Sequence, residues 1–473
     1  MMRLAILLAA LLVAKRAVAA PVEFQAAPGA VSLLRSFAVN SSSSASLPPS
    51  EDPFYHFPDD LDTYGNGTII RSRPVNTSFA AVANSSYQLF YRTTSAVGNA
   101  SAALTTVFSP RAPVSPPQIM LLMAPIDSAS PDCQVGYALE SGTGSNATTL
   151  LPSIAADIVA SLSKGWYVSV PDHEGAEAAF ISGVTSAFAG IDGLRAALNS
   201  SDLFSNTTGY KAVIHGYSGG ADAASWATQF LPTYGQGLQV VGASFGGTPV
   251  RLLPTLELLS NGSASFLAVS ALAGLGNAYS ELDAWYNSSL TTAGQDAFAL
   301  ARSQCAEGLA SLNNINVFDL FTNGSAALNE TVPQKYLALE QLGQPLDNTS
   351  APVNTSGLLP VPVFMYHSET DGTVSYAPVP AYVDDQCARG ANLTFANTTG
   401  LAHAQTYIAY EGDVYQFLAA AFDGSLNTTG GCTRQSGIVN AFGSPGYIRE
   451  IGLAAWTLLA SAGANVRRRS YGW

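Results

Sequence analysis

A nine-residue stretch constrains this chain more than any other: Val213-Ile214-His215-Gly216-Tyr217-Ser218-Gly219-Gly220-Ala221. A β-branched lead-in runs into Gly-x-Ser-x-Gly, and an alanine-rich segment (Ala221, Ala223, Ala224, Ala227) leads out with helical character. Strand, sharp turn and helix in that order surround a nucleophile elbow, which lifts a serine hydroxyl above the edge of an α/β sheet. Glycines belong there because neighbouring backbone comes too close for side chains. The bare pattern is weak, since a chain this rich in Gly and Ser should show it about 0.4 times by chance, and here it occurs twice. The second copy, Gly242-Ala243-Ser244-Phe245-Gly246, runs on into Gly247-Thr248-Pro249, which does not start a helix that packs back on a sheet. Ser218 is therefore the candidate nucleophile, and Ser244 reads as ordinary strand-end structure.

The flanking pattern sets the fold class. Tyr87 to Tyr91 and Leu104 to Phe108 read as a first pair of strands, and Ile119 to Met123 as a strand buried on both faces. Helical patterning at Ile154 to Ser163 precedes a strand at Trp166 to Val170, and another helix covers roughly Ala187 to Leu198. Val240-Val241, Val363 to Tyr366 and Leu393 to Phe395 continue the strand series. Strands alternating with helices predict an α/β-hydrolase fold, a mostly parallel sheet with helices on both faces. Between residues 251 and 360 strand signals fade and helical stretches dominate, which predicts an inserted helical cap over the strand ends. The catalytic domain is expected over 51–473, with that cap inside it.

The N-terminus points to secretion. Arg3 precedes an apolar run from Leu4 to Ala14, too short to span a bilayer, and Ala17-Val18-Ala19 fits a cleavage site. Residues 1–19 read as a signal peptide, and 20–50 as a Ser/Pro-rich leader or linker. Seventeen Asn-x-Ser/Thr sequons agree with an extracellular glycoprotein. A net charge of −13 argues against a nucleic-acid partner. With 47% hydrophobic and 11% charged residues the chain can bury a large core. No stable membrane insertion is expected. Four cysteines imply two disulfides, with three pairings open. No Cys-x-x-Cys or His/Cys cluster suggests a metal, His173-Glu174 lacks the second histidine of a zinc helix, and no cofactor is expected.

A serine needs a base, and the base needs a partner that fixes its tautomer. In this fold the chain order is Ser, then Asp or Glu, then His. Only His367 and His403 follow Ser218. His367 ends a strand and precedes Glu369-Thr370-Asp371-Gly372, where an acid loop belongs, so the expected base is His403 and the expected acid Asp371, with Glu369 as its rival.

Those residues and several distant stretches together carry a resemblance. Tyr91-Arg92-Thr93-Thr94, Asp172-His173-Glu174-Gly175, Gly216 to Ala221, Gly246 to Val250, Gln386-Cys387-Ala388 and Ala421-Phe422-Asp423-Gly424 are similar to the fungal secretory lipase family. The resemblance runs from about Asp52 to about Gly424 and departs at Ala404, where a bulkier residue is expected. It implies the triad Ser218, Asp371 and His403, and disulfides joining Cys133 to Cys305 and Cys387 to Cys432. It also implies an oxyanion hole made by the Gly219 N–H and by Asp127, whose carboxyl must stay protonated to donate. The expected activity is that of a secreted serine lipase acting on acylglycerols at an oil–water interface through an acyl-enzyme. A carboxylesterase for short-chain or plant-wall esters is the alternative, and a non-catalytic surface glycoprotein a more distant one.

Overall fold

The computed structural model describes residues 46–141, 143, 151–426 and 431–470. The expected signal peptide and residues 20–45 of the expected leader lie outside them. Among the described residues the strands are β1 (Ile69–Pro74), β2 (Ala83–Thr94), β3 (Ala100–Pro110), β4 (Gln118–Met123), β5 (Tyr167–Pro171), β6 (Lys211–Tyr217), β7 (Val240–Gly246), β8 (Val363–Ser368), β9 (Leu393–Thr398) and β10 (Thr433–Ser436). They form one ten-stranded sheet in the order β1-β2-β3-β5-β4-β6-β7-β8-β9-β10. β1 to β3 pair antiparallel, and β3 meets β5 antiparallel; from β5 through β10 every pairing is parallel.

The central strands are apolar throughout because both faces are covered. In β4, Ile119, Leu121 and Met123 point into one hydrophobic cluster, while Met120 and Leu122 point into the other. The period of two that aims alternate side chains at opposite faces thus feeds two cores. Helices Gly183–Asn199 and Gly219–Phe230 close the first face through Ala187, Phe188, Ala223 and Trp226. Helices Leu151–Ser163, His403–Asp423 and Leu453–Ser470 close the second through Ile158, Val159, Tyr410, Val414 and Leu458.

Two strands carry little apolar signal in the sequence. β1 is a half-exposed edge strand interrupted by Arg71 and Arg73. β10 is Thr433-Arg434-Gln435-Ser436, paired to β9 and tied further by Arg434 to Asp384 and by Gln435 to Asp413. His403 is the first residue of helix His403–Asp423. The Gln405 side chain turns back to accept from the Ala402 N–H at 3.1 Å and marks that start.

Between β7 and β8 the chain forms helices Leu252–Leu259, Ser265–Ala278, Ser280–Ser289, Thr292–Ser303 and Thr331–Leu339. Several links bind this segment to the rest of the fold, among them Asn277 Nδ2, which donates to the Ala129, Glu177 and Ala178 carbonyls. Cys133 is bonded to Cys305, and the buried Glu340 carboxylate accepts from the Gly183 N–H (2.8 Å) and the Tyr279 hydroxyl (2.5 Å). A second disulfide joins Cys387 to Cys432, beside the β9–β10 pair.

Candidate active site

The elbow is built by steric exclusion. Ser218 has φ 59° and ψ −125°, a conformation that costs a non-glycine residue about 1–3 kcal/mol. It is held by a hydrogen bond from its N–H to the Gly246 carbonyl (3.0 Å), and the helix beginning at Gly219 grows directly from it. A Cβ on Gly220 would stand 2.0 Å from the Met123 carbonyl oxygen at the end of β4. The second core strand and the turn can meet only because that side chain is missing.

Ser218 Oγ lies 2.8 Å from His403 Nε2, and His403 Nδ1 lies 2.6 Å from Asp371 Oδ2. A carboxylate accepts only, so Nδ1 carries the proton and Nε2 is left to receive one from the serine. The other Asp371 oxygen accepts from the Thr373 and Val374 N–H groups at 2.8 and 2.9 Å. Burial alone would raise the Asp371 carboxyl, but hydrogen bonds and charge from His367 and His403 override it and hold the group far below the usual carboxylate range. Glu369, the rival acid, faces solvent and accepts from Asn397 Nδ2. Ser244 is fully buried in β7.

Three further side chains support this geometry, and the contacts of two of them, His367 and Tyr217, escaped the sequence reading. His367 Nε2 stands 3.4 Å from Asp371 Oδ2, the same oxygen that His403 Nδ1 meets, and so backs the acid. The Tyr217 hydroxyl donates to the His403 carbonyl (2.7 Å), with its ring 4.9 Å from the imidazole. His173 donates from Nε2 to the Ala124 carbonyl (2.7 Å) and accepts at Nδ1 from Ser186, and burial lowers it to about 4, so it braces the loop after β4 as a neutral ring. For Tyr217 the visible signal was its place between Gly216 and Ser218, directly before the nucleophile.

That loop carries Asp127, which also sits at positive φ (57°). A Cβ on Gly219 would come 2.0 Å from Asp127 Oδ1, so the carboxyl presses on the first residue of the elbow helix, whose N–H is an unsatisfied helix-terminal donor. Asp127 Oδ1 is buried without a hydrogen-bond partner. Burial raises its carboxyl to about 6, against the lowering influence of His403.

Two cavities meet at Ser218. One of about 50 Å³ is lined by Leu252, Leu256, Leu267 and Leu272 from the helical segment. The other, about 290 Å³, runs past Met123, Ile126 and Ile154 under the His403 helix.

This geometry can be set beside known proteins. The family model described as "Secretory lipase" matches residues 143–430. Lipase A of Moesziomyces aphidis is 34% identical over 387 residues, covering 80% of this chain and 82% of that protein. The chain belongs to the secretory lipase family. A secreted triacylglycerol lipase of Malassezia restricta is 30% identical, covering 80% of each chain. The X-ray structure of Candida antarctica lipase A in its closed state superposes with a TM-score of 0.80 at 32% identity, over 88% of this chain and 96% of that one. This secretory lipase thus shares the α/β-hydrolase fold, and the likeness extends through the helical segment as well as the sheet.

Several buried acids of this family member keep their protons above the ordinary range: burial raises Asp172 to about 8, Glu340 to about 7 and Asp127 to about 6. Each has its unfolded value near 4, so from about pH 4 to pH 8 these three groups bind more protons in the folded chain than in the unfolded one, which outweighs the single proton that His173, lowered to about 4, gives up on folding below its ordinary value. Stability against urea is therefore expected to fall as pH rises across that window. A midpoint that stays flat or climbs from pH 4.5 to 8 would mean that these carboxyls ionise normally in the fold.

Proposed function

We propose that the chain is a secreted triacylglycerol lipase that works through an acyl-enzyme on Ser218. The observation that carries this reading is the unbroken chain Ser218–His403–Asp371 opening on apolar cavities. Ser218 Oγ attacks the ester carbonyl while His403 Nε2 takes its proton. The tetrahedral oxyanion is stabilised by the Gly219 N–H and by the protonated Asp127 carboxyl. His403 then returns the proton to the leaving alcohol, and a water activated by the same nitrogen releases the fatty acid. Asp371 holds the ring and offsets its positive charge.

Family membership and the name of the Malassezia relative support lipid as the substrate and secretion as the destination, in keeping with the N-terminal signal pattern. In this reading the helical segment over 251–360 is a cap. Its leucines wall the smaller of the two cavities that meet at Ser218. Hydrolysis of emulsified long-chain triglyceride compared with dissolved p-nitrophenyl acetate tests the substrate. The expected result is a rise in rate when the triglyceride forms droplets. Full activity on the acetate with none on the emulsion would make the protein an esterase of small esters instead.

A further inference from the structure

Behind the elbow three acceptor groups converge from three elements. His215 comes from β6, Asp157 from helix Leu151–Ser163 and Glu411 from helix His403–Asp423. His215 Nε2 lies 3.9 Å from Asp157 Oδ1 and 3.8 Å from Glu411 Oε1, and all three side chains are almost fully buried. His215 Nδ1 stands 3.1 Å from the Ser244 carbonyl, which can only accept, so the proton of the neutral ring is on Nδ1. Nε2 is then a bare lone pair facing two carboxyl groups. Neither it nor either Glu411 oxygen has a hydrogen-bond partner.

No arginine or lysine among the described residues pairs with Asp157 or Glu411. The hydroxyl of Tyr407 satisfies one Asp157 oxygen (2.7 Å), and that of Tyr415 donates to the Asp157 carbonyl (2.8 Å). Three acceptors buried together without a lysine or arginine are costly unless positive charge stands between them, as a proton or as a metal ion, and burial accordingly raises both carboxyls. A divalent cation supplies it and brings the two carboxylates to neutrality.

We propose that Asp157, His215 and Glu411 form a binding site for a zinc-class divalent cation. One imidazole and two carboxylates suit such an ion, with bonds of about 2.0–2.2 Å. The observed separations are a few tenths of an ångström longer than two such bonds at the tetrahedral angle span, within reach of small side-chain shifts. The Nδ1–H to carbonyl bond is the usual outer contact that orients a metal-binding histidine. Asp157 and His215 also line the 290 Å³ cavity, which gives the ion a route in and water for its remaining position. The ion joins the strand that enters the elbow to the helix that begins with His403, so it is a clamp on the serine–histidine geometry. The three residues stand far apart in the chain, which is why no local spacing betrays them.

The test uses the purified full chain, stripped with a chelator and titrated with Zn²⁺ by calorimetry and with Co²⁺ by visible absorption. One equivalent of each is expected to bind, with a cobalt spectrum of nitrogen and oxygen ligands without sulfur. Zn²⁺ should also raise the thermal midpoint. Glu411→Gln and His215→Asn should each weaken binding at least about 100-fold, more than loss of an outer contact, whereas Glu281→Gln on the surface should not. Circular dichroism checks that the variants fold. Should they not, X-ray absorption of the wild type at its cobalt edge still decides by showing histidine nitrogen on the ion or none. The proposal is overturned if the wild type binds no stoichiometric ion, if binding survives Glu411→Gln unchanged, or if the bound ion carries no nitrogen ligand. The first of these results would mean that protons alone hold the cluster together.

Discussion

Replacing Ser218 by alanine is expected to lower kcat for ester hydrolysis by about 10⁶, the loss seen when the nucleophile of a serine triad is removed. The residue sits half-exposed on a strained turn and packs no core, so the variant should be secreted and fold as the wild type does. Labelling by a fluorophosphonate probe separates chemistry from folding: the wild type and Ser244→Ala should label, and Ser218→Ala should not. A labelled Ser218→Ala protein would move the nucleophile elsewhere, and Ser244 would be the first place to look.

Asp127 gives the second large effect, because two accounts of it part company in the variants. If its protonated carboxyl donates to the oxyanion, Asp127→Ala should cost about 10²–10³ in kcat, the usual loss for one such donor. Asp127→Asn keeps a donor of nearly the same shape against Gly219 and should retain much more activity. Only the protonated acid can donate, and its value lies at about 6, so the wild-type contribution fades as pH rises through that point. The fade should appear in kcat/KM, which reports the free enzyme, and should be missing from Asp127→Asn. If only the backbone N–H matters, Ala and Asn behave alike at every pH. Rates on one soluble ester from pH 4 to 9 distinguish these cases, and near-wild-type turnover in Asp127→Ala removes the side chain from the oxyanion hole.

What the sequence reveals here follows from how local each signal is. The elbow is legible because strand, turn and helix adjoin, and β4 to β8 are legible because two covered faces demand continuous apolar runs. Asp371 and His403 could be singled out by chain order, since few histidines follow Ser218. Edge strands β1 and β10 gave little signal because β1 offers only Ile69 and Ile70 to a core before its arginines, and β10 is polar throughout. His367 looked idle because its value lies in a contact with Asp371 made across a turn. Glu340 reads as one more surface acid of a helical stretch; only the packed structure puts it on the Gly183 N–H, deep between the helical segment and the sheet.

The bond between Cys133 and Cys305 closes a loop with a sequence separation of 172, and the elbow lies inside that loop. An extracellular enzyme works among proteases, and exposed turns of the helical segment, such as Ser260 to Gly262, offer them places to cut. Any single cut between the two cysteines leaves one covalent molecule. The severed piece bearing Leu267 and Leu272 stays tethered a few residues from Asp127, where it can settle back over Ser218. Such a nicked enzyme migrates as an intact chain until a reductant is added, and damage that would disperse an untethered protein becomes a break the fold can carry.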